Sequence, residues 1–316
     1  MNLIKNPLFE ELADCQNILL AGAGGGFDVY SAIPLYFSLR GLNKNVHLAN
    51  LSFASLRDND SKISDQCFKV TKDSDGSDSY FPERTLCRWL DECEGISQPV
   101  YSFPQCGVVP LQKNYEYLVG ELNLDVIVLV DGGTDSLMRG DEVGLGTPSE
   151  DIASMVAVSR TNVPKKLLSC IGFGVDRFHG VCHAQFLEAV AALSEQAAFL
   201  GAFSVLPQAT EAMKYMELVE YSSNHTKSRP SIVNTSIASA ISGKFGDYHA
   251  TDRTRGSKLW ISPLMGMYWS FQLNAVVERN LYAKRLLDTK ELHEVAEIIR
   301  QFRDGQKLRA WDSIPD

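Results

Sequence analysis

The sequence predicts an α/β protein: a Rossmann-like, mostly parallel sheet with helices on both faces and a helix-rich C-terminal third. Three observations lead there. Runs rich in Val, Ile and Leu that hardly alternate recur along the chain, as strands covered on both faces do. Helical periodicities separate those runs, the pattern of a parallel sheet. And the first run, Ile18–Ala21, feeds the stretch GAGGGFD ahead of an amphipathic segment, which is the order strand, tight turn, helix.

Strands are expected at Ile18–Ala21, Val46–Leu51, Val126–Val130 and Leu167–Phe173, in VYSFP from Val100, and more weakly at Lys258–Leu264. Helices are expected at Val29–Leu39, in FPERTLCRWLDEC with Pro82 in its first turn, in LQKNYEYLVGELN, at Pro148–Ser159 and in HAQFLEAVAALSEQAAFLGAF. Four more are expected at Gln208–Tyr221, Ser231–Ser242, Gly266–Asn280 and Thr289–Phe302. Residues 58–79 are polar and turn-rich and read as an irregular excursion with one pair of strands. Nothing repeats and no long linker interrupts the 316 residues, so 1–316 reads as one domain whose part 205–316 is mainly helical.

Composition narrows the function classes. A hydrophobic content of 45% with 22% charged residues is ordinary for a soluble enzyme. The net charge of −9 argues against a nucleic-acid backbone or an anionic membrane as the main partner. No apolar run approaches the roughly 20 residues of a membrane span, and the opening MNLIKNPLFEELADCQN lacks the apolar core of a signal peptide. Seven scattered cysteines without a CxxC pair suggest reduced thiols and a cytoplasmic protein. A homodimer is expected only because two-fold assemblies are common.

Three strand-end motifs carry the chemistry. In the first, Phe27 stands where the third glycine of the dinucleotide fingerprint belongs, and no lysine completes a Walker turn. Gly22, Gly24, Gly25 and Gly26 are therefore read as backbone donors of a ligand cradle, with Asp28 as an N-cap or as an acceptor for a ligand hydroxyl or amino group. In the second, VIVLVDGGTD delivers Asp131 and Asp135 across Gly132, Gly133 and Thr134, with Asp141 and Glu142 beyond. Two carboxylates so placed suit general acid–base work, Mg²⁺ or a ribose diol. In the third, CIGFGVD ends a strand on Asp176, followed by His179, Cys182 and His183. That trio resembles a zinc set, but Gly180 interrupts it and a fourth ligand cluster is missing, so capping is the better reading. Late in the chain Asn224, Arg253, Arg255 and Lys258 are candidates for the positive or polar side of an anion site.

GAGGGFDVYSAIPL, VDGGTDSLMRGDEVGLGTPSEDIASM, GFGVD and the late SPL, in that order, resemble the family of uncharacterised Rossmann-like proteins catalogued as domain of unknown function 1152. The resemblance runs from Asn17 to Asn280. It implies recurring positions at Gly24, Gly25, Gly26 and Asp28, at Asp131, Gly133 and Asp135, and at Glu142, Pro148 and Asp151. Thr134 stands where the family more often has glycine, and Arg177-Phe178 replace its Gly-Glu after Asp176. Gly22-Ala23-Gly24 with Ala32-Ile33-Pro34 is also similar to the first turn of sirtuins, with two extra residues between and no counterpart of their four-cysteine zinc site.

Together these readings make the chain a cytoplasmic enzyme for a nucleotide-like or sugar-phosphate-like small molecule. Asp131, Asp135 and Asp176 would be its catalytic carboxylates in hydrolysis or group transfer, with Mg²⁺ or a nucleotide as possible cofactor. The alternative is a non-catalytic module that senses a nucleotide or NAD derivative and signals to a partner.

Overall fold

The computed structural model describes residues 5–56, 62–64, 66–226, 229–257 and 259–310, with the backbone alone at 178. After helix α1 (Pro7–Glu11), strand β1 (Asn17–Gly22) leads into α2 (Asp28–Ser31) and α3 (Ile33–Gly41). Strand β2 (Asn45–Ser52), the short β3 (Lys62–Ser64) and β4 (Cys67–Val70) precede α4 (Pro82–Glu94). Then come β5 (Val100–Pro104), α5 (Val108–Glu121), β6 (Val126–Gly132), α6 (Pro148–Ser159), β7 (Lys165–Ile171) and α7 (His183–Glu195). The chain ends through β8 (Phe199–Ser204), α8 (Thr210–His225), α9 (Ile232–Ile241), β9 (Met267–Gln272), α10 (Leu273–Arg279) and α11 (Leu292–Asp304).

All nine strands join one sheet in the order β3-β4-β5-β2-β1-β6-β7-β9-β8. The five central strands, β5 to β7, run parallel, and the two at each margin run antiparallel to what they join. Counting the parallel strands alone, the order is 3-2-1-4-5. The winding reverses between β1 and β6, and a crevice opens there beyond their carboxyl ends.

The sheet has a hydrophobic core on each face. Ile18, Leu20, Val46, Leu48, Val126 and Val128 pack with side chains of α3, α4 and α8. Leu19, Ala21, Ala49, Leu51, Ile127 and Leu129 face α5, α6, α7 and α11. With both faces covered, these strands gain nothing from alternation, and that is why their sequences do not alternate. None of the seven cysteines is in a disulfide, and all but Cys93 are buried. Among the described residues no helix is long and apolar enough to cross a membrane.

Two expectations for the C-terminal part are corrected. Gly266–Asn280 is half strand: Met267–Gln272 pairs with β7 and β8, and only Leu273–Arg279 is helical. MYWSFQLNAVVE holds no Gly or Pro to mark the change from strand to helix, so its apolar run reads as one element. The strand expected at Lys258–Leu264 is a single bridge from Ile261 to Gly246 followed by a 3-10 turn, with residue 258 outside the described residues. Strand β8 was hidden in the tail of the long helical window, where Ala197 at φ 53° ends α7 without a glycine. The expected pair of strands within 58–79 is present as β3 and β4, but β4 joins the main sheet beside β5. Residues 58–61 and 65 of that stretch lie outside the described residues.

Candidate functional site

The glycine turn is built to hold a carboxylate. Ala23 N–H is spent on Val130 O and Gly26 N–H on Leu51 O, both at 2.9 Å. Gly24 donates to Asp28 Oδ2 at 2.7 Å, and the N–H groups of Gly25 and Gly132 also act on that carboxylate. The expected cradle of free donors from Gly22 to Gly26 is thereby corrected: the turn satisfies itself and presents Asp28. Asp28 is the first residue of α2, and its side chain reaches back across the turn. Glycine is required at 25, where φ is +85° and a Cβ would meet Leu51 O at 2.3 Å.

Asp131 continues the face of Ile127 and Leu129 at the end of β6 and accepts Ser136 Oγ at 2.5 Å. The chain then enters a 3-10 turn, Asp135–Leu137. Asp135 Oδ2 takes the N–H and hydroxyl of Thr147 at 2.7 and 3.3 Å, which ties it to the start of α6. Asp176, beyond β7, takes the N–H and hydroxyl of Thr134 at 2.5 and 3.3 Å. Thr134 therefore holds a carboxylate and does not line the cavity.

These segments enclose a cavity of about 470 Å³ over the switch point, a size that suits a small-molecule ligand. Its floor carries Asp28, Asp131, Asp135, Asp151 and Asp176. Arg229 and Arg253 stand on the side of the loops flanking α9, and His179 lies beside Asp135. Phe27, Phe53 and Tyr80 form an aromatic wall, with Phe27 and Tyr80 edge to face at 5.5 Å. Buried Asn234 locks α9 onto the first turn: its Nδ2 donates to Phe27 O at 3.1 Å, and its Oδ1 accepts Ser31 Oγ at 3.2 Å and the Tyr215 hydroxyl at 2.8 Å.

Burial dominates the electrostatics. It pushes the Asp28 carboxyl up to about 7, against the pull of the glycine N–H groups. Burial and the neighbouring aspartates hold Asp131, Asp151 and Asp176 well above the usual carboxylate range. Asp135 is raised too, mainly by burial, with the Thr147 donors and His179 opposing. Among the described residues no lysine or arginine comes within ion-pair distance of the five. Carboxylate oxygens of Asp28, Asp131 and Asp151 lie within 4.8 Å of one another, close enough to share a metal ion.

Of the sequence candidates, Gly24, Gly25, Asp28, Asp131, Gly132, Asp135 and Asp176 line the cavity. Gly22, Gly26 and Gly133 shape the turns behind it. Three candidates lie elsewhere. Glu142 is wholly buried, accepts the N–H groups of Arg139 and Gly140 at 3.1 and 2.8 Å and faces Arg309 at 3.6 Å, so it pins a loop. Asn224 is exposed in the last turn of α8. Arg255 points to solvent and pairs with Asp252 at 2.8 Å; its neighbour Arg253 faces the cavity. His179 and His183 do not share a site: His183 packs against the Phe173 ring. Sequence reasoning did not assign roles to Asp151, Tyr80, Phe53 or Arg229. The family resemblance marks Asp151 as a recurring position without giving it a role; by itself it is an acid in the first turn of a helix, where acids are commonplace.

A family profile described as "Protein of unknown function (DUF1152)" matches residues 19–303, from within β1 to within α11. The chain belongs to this family. Every cavity residue named above lies inside the matched span. No curated protein and no solved structure matches the chain.

Proposed function

We propose that this member of the family is an enzyme acting on a phosphate-bearing, nucleotide-like or sugar-phosphate-like small molecule, by hydrolysis or group transfer at the switch-point cavity. One observation carries the reading: a ligand-sized cavity at this position in the sheet has an acidic floor, two arginines on its side and an aromatic wall. The phosphate goes to Arg229 and Arg253, since the glycine turn has spent its donors. A ring stacks on Phe53 and Tyr80. Hydroxyl or amino groups reach the aspartates, and Asp135, which keeps a raised pKa and faces the cavity, serves as general base or acid.

The test begins with mass spectrometry of small molecules released by heat from freshly purified protein. A thermal-shift panel of nucleotides, NAD, ADP-ribose and sugar phosphates follows, with and without Mg²⁺. A ligand at a hundred times its Kd stabilises by about 2.7 kcal/mol, a rise of a few degrees in Tm. In Gly24→Ala the shift is expected to disappear. The new Cβ would stand 2.6 Å from Asp151 Oδ1 and 3.0 Å from Asp28 Oδ2, displacing both carboxylates. No released compound and no shift across the panel would overturn the proposal; a shift without turnover would make the chain a sensing module.

A further inference from the structure

A group of carboxylates is not in itself a metal site, and what distinguishes this one is Asp151. Four of the five cavity aspartates have a protein donor: Gly24 for Asp28, Ser136 for Asp131, Thr147 for Asp135 and Thr134 for Asp176. Asp151 has none. It is 3% exposed, lines the cavity, and among the described residues neither a hydrogen bond nor an ion pair reaches its carboxylate. A carboxylate so deeply buried without a partner costs several kcal/mol if ionised. The space beside it is kept open as well, because a Cβ on Gly24 would fall 2.6 Å from Asp151 Oδ1 and 3.0 Å from Asp28 Oδ2. A side chain at 24 would fill the gap between the two oxygens.

We infer that Asp28, Asp131 and Asp151 form the site of one hard divalent cation of the Mg²⁺ class. Three converging oxygens within 4.8 Å of one another suit such an ion, and the absence of sulfur or imidazole from the trio argues against zinc or copper. Mg²⁺ takes a few carboxylates and completes its octahedron with water and ligand phosphate. The cation gives the unpartnered Asp151 its partner and removes the repulsion among the floor carboxylates. It also reconciles an acidic floor with an anionic ligand, because the phosphate then meets the ion below and Arg229 and Arg253 beside it. This last step rests on the function proposed above; the cation site itself does not.

The test is a titration of the metal-stripped full chain with Mn²⁺, free ion being followed by electron paramagnetic resonance with no organic ligand present. One Mn²⁺ per chain is expected, displaced by Mg²⁺. Asp151→Asn and Asp28→Asn are each expected to weaken binding at least tenfold. Glu150→Gln, on the same cavity wall but outside the trio, stays within threefold of the parent. Circular dichroism checks folding, and if one variant of the trio fails to fold the other decides. No saturable site in the parent, or the parent's affinity retained in both variants, overturns the inference. A confirmed Mn²⁺ site with no phosphate-bearing ligand leaves the cation site standing and sinks the proposed function, and the reverse result does the opposite.

Discussion

Asp135→Asn is expected to abolish turnover of the released ligand while leaving its binding within about threefold of the parent. The substitution is nearly isosteric. Its amide oxygen can keep the N–H and hydroxyl of Thr147, which the carboxylate accepts at 2.7 and 3.3 Å, so the 3-10 turn and the start of α6 stay in place. What is lost is a group that can take up a proton and give it back. Losing a positioned general acid or base lowers rates by about 10²- to 10⁴-fold. Binding of the ligand by Arg229, Arg253 and the aromatic wall does not need that proton. A single-turnover assay beside a binding isotherm separates the two quantities. Turnover within a few-fold of the parent would remove Asp135 from the chemistry and leave the role to Asp131 or Asp176. An equal loss of binding and turnover would make its carboxylate a holder of ligand.

The parts of the fold that the sequence shows are those where one strand is one apolar run with a turn residue at each end. Strands β1, β2, β6 and β7 are of that kind, and they deliver Asp28, Asp131 and Asp176 to the same end of the sheet. The order of the strands, and so the meeting of Asp28 with Asp131, is set by β1 pairing with both β2 and β6. No local pattern records that choice. Strand β9 was missed because it passes into α10 without a breaker, and β8 because Gly201, at φ 89°, sits in a strand whose register shifts between Phe199 and Ala202. In the site, the residues without an assigned role come from four separate places: Phe53 just after β2, Tyr80 ahead of α4, Asp151 in the first turn of α6 and Arg229 ahead of α9. Arg253 and Arg255 are two positions apart, and only the 3-10 turn Asp252–Thr254 decides which faces the cavity. The glycine-rich turn departs from its sequence pattern in a more instructive way. Its glycines signalled backbone donors correctly, but their recipient is Asp28, four residues on from Gly24.

Glu83→Gln is expected to stabilise the protein at pH 8 and to do nothing at pH 4. Glu83 is wholly buried at the start of α4, and Asn50 Nδ2 donates to its Oε1 at 2.7 Å. Its other oxygen and Asn50 Oδ1 are both buried without a hydrogen-bond partner. Burial raises its carboxyl to about 7 from the ordinary 4.5, although Asn50 pulls the other way. The unfolded chain loses the proton near 4.5 and the folded chain holds it to about 7. Stability from this group is thus complete below pH 4.5 and is lost as pH rises through 7. A shift of that size corresponds to about 3 kcal/mol. Glutamine does not titrate, so it carries no such cost at high pH. The difference in Tm between variant and parent should therefore grow from pH 4.5 to about 7 and then level off. The aspartates of the floor titrate in both proteins and cancel from that difference. The pair matters to the site because the same Asn50 amide also donates to Gly26 O at 2.8 Å, bracing the glycine turn from behind. Ionising Glu83 stresses the support of Asp28, and Glu83→Gln should extend ligand retention to higher pH. Melting curves from pH 4 to 8 decide the matter: a difference that does not change with pH would mean that Glu83 carries the same charge folded and unfolded.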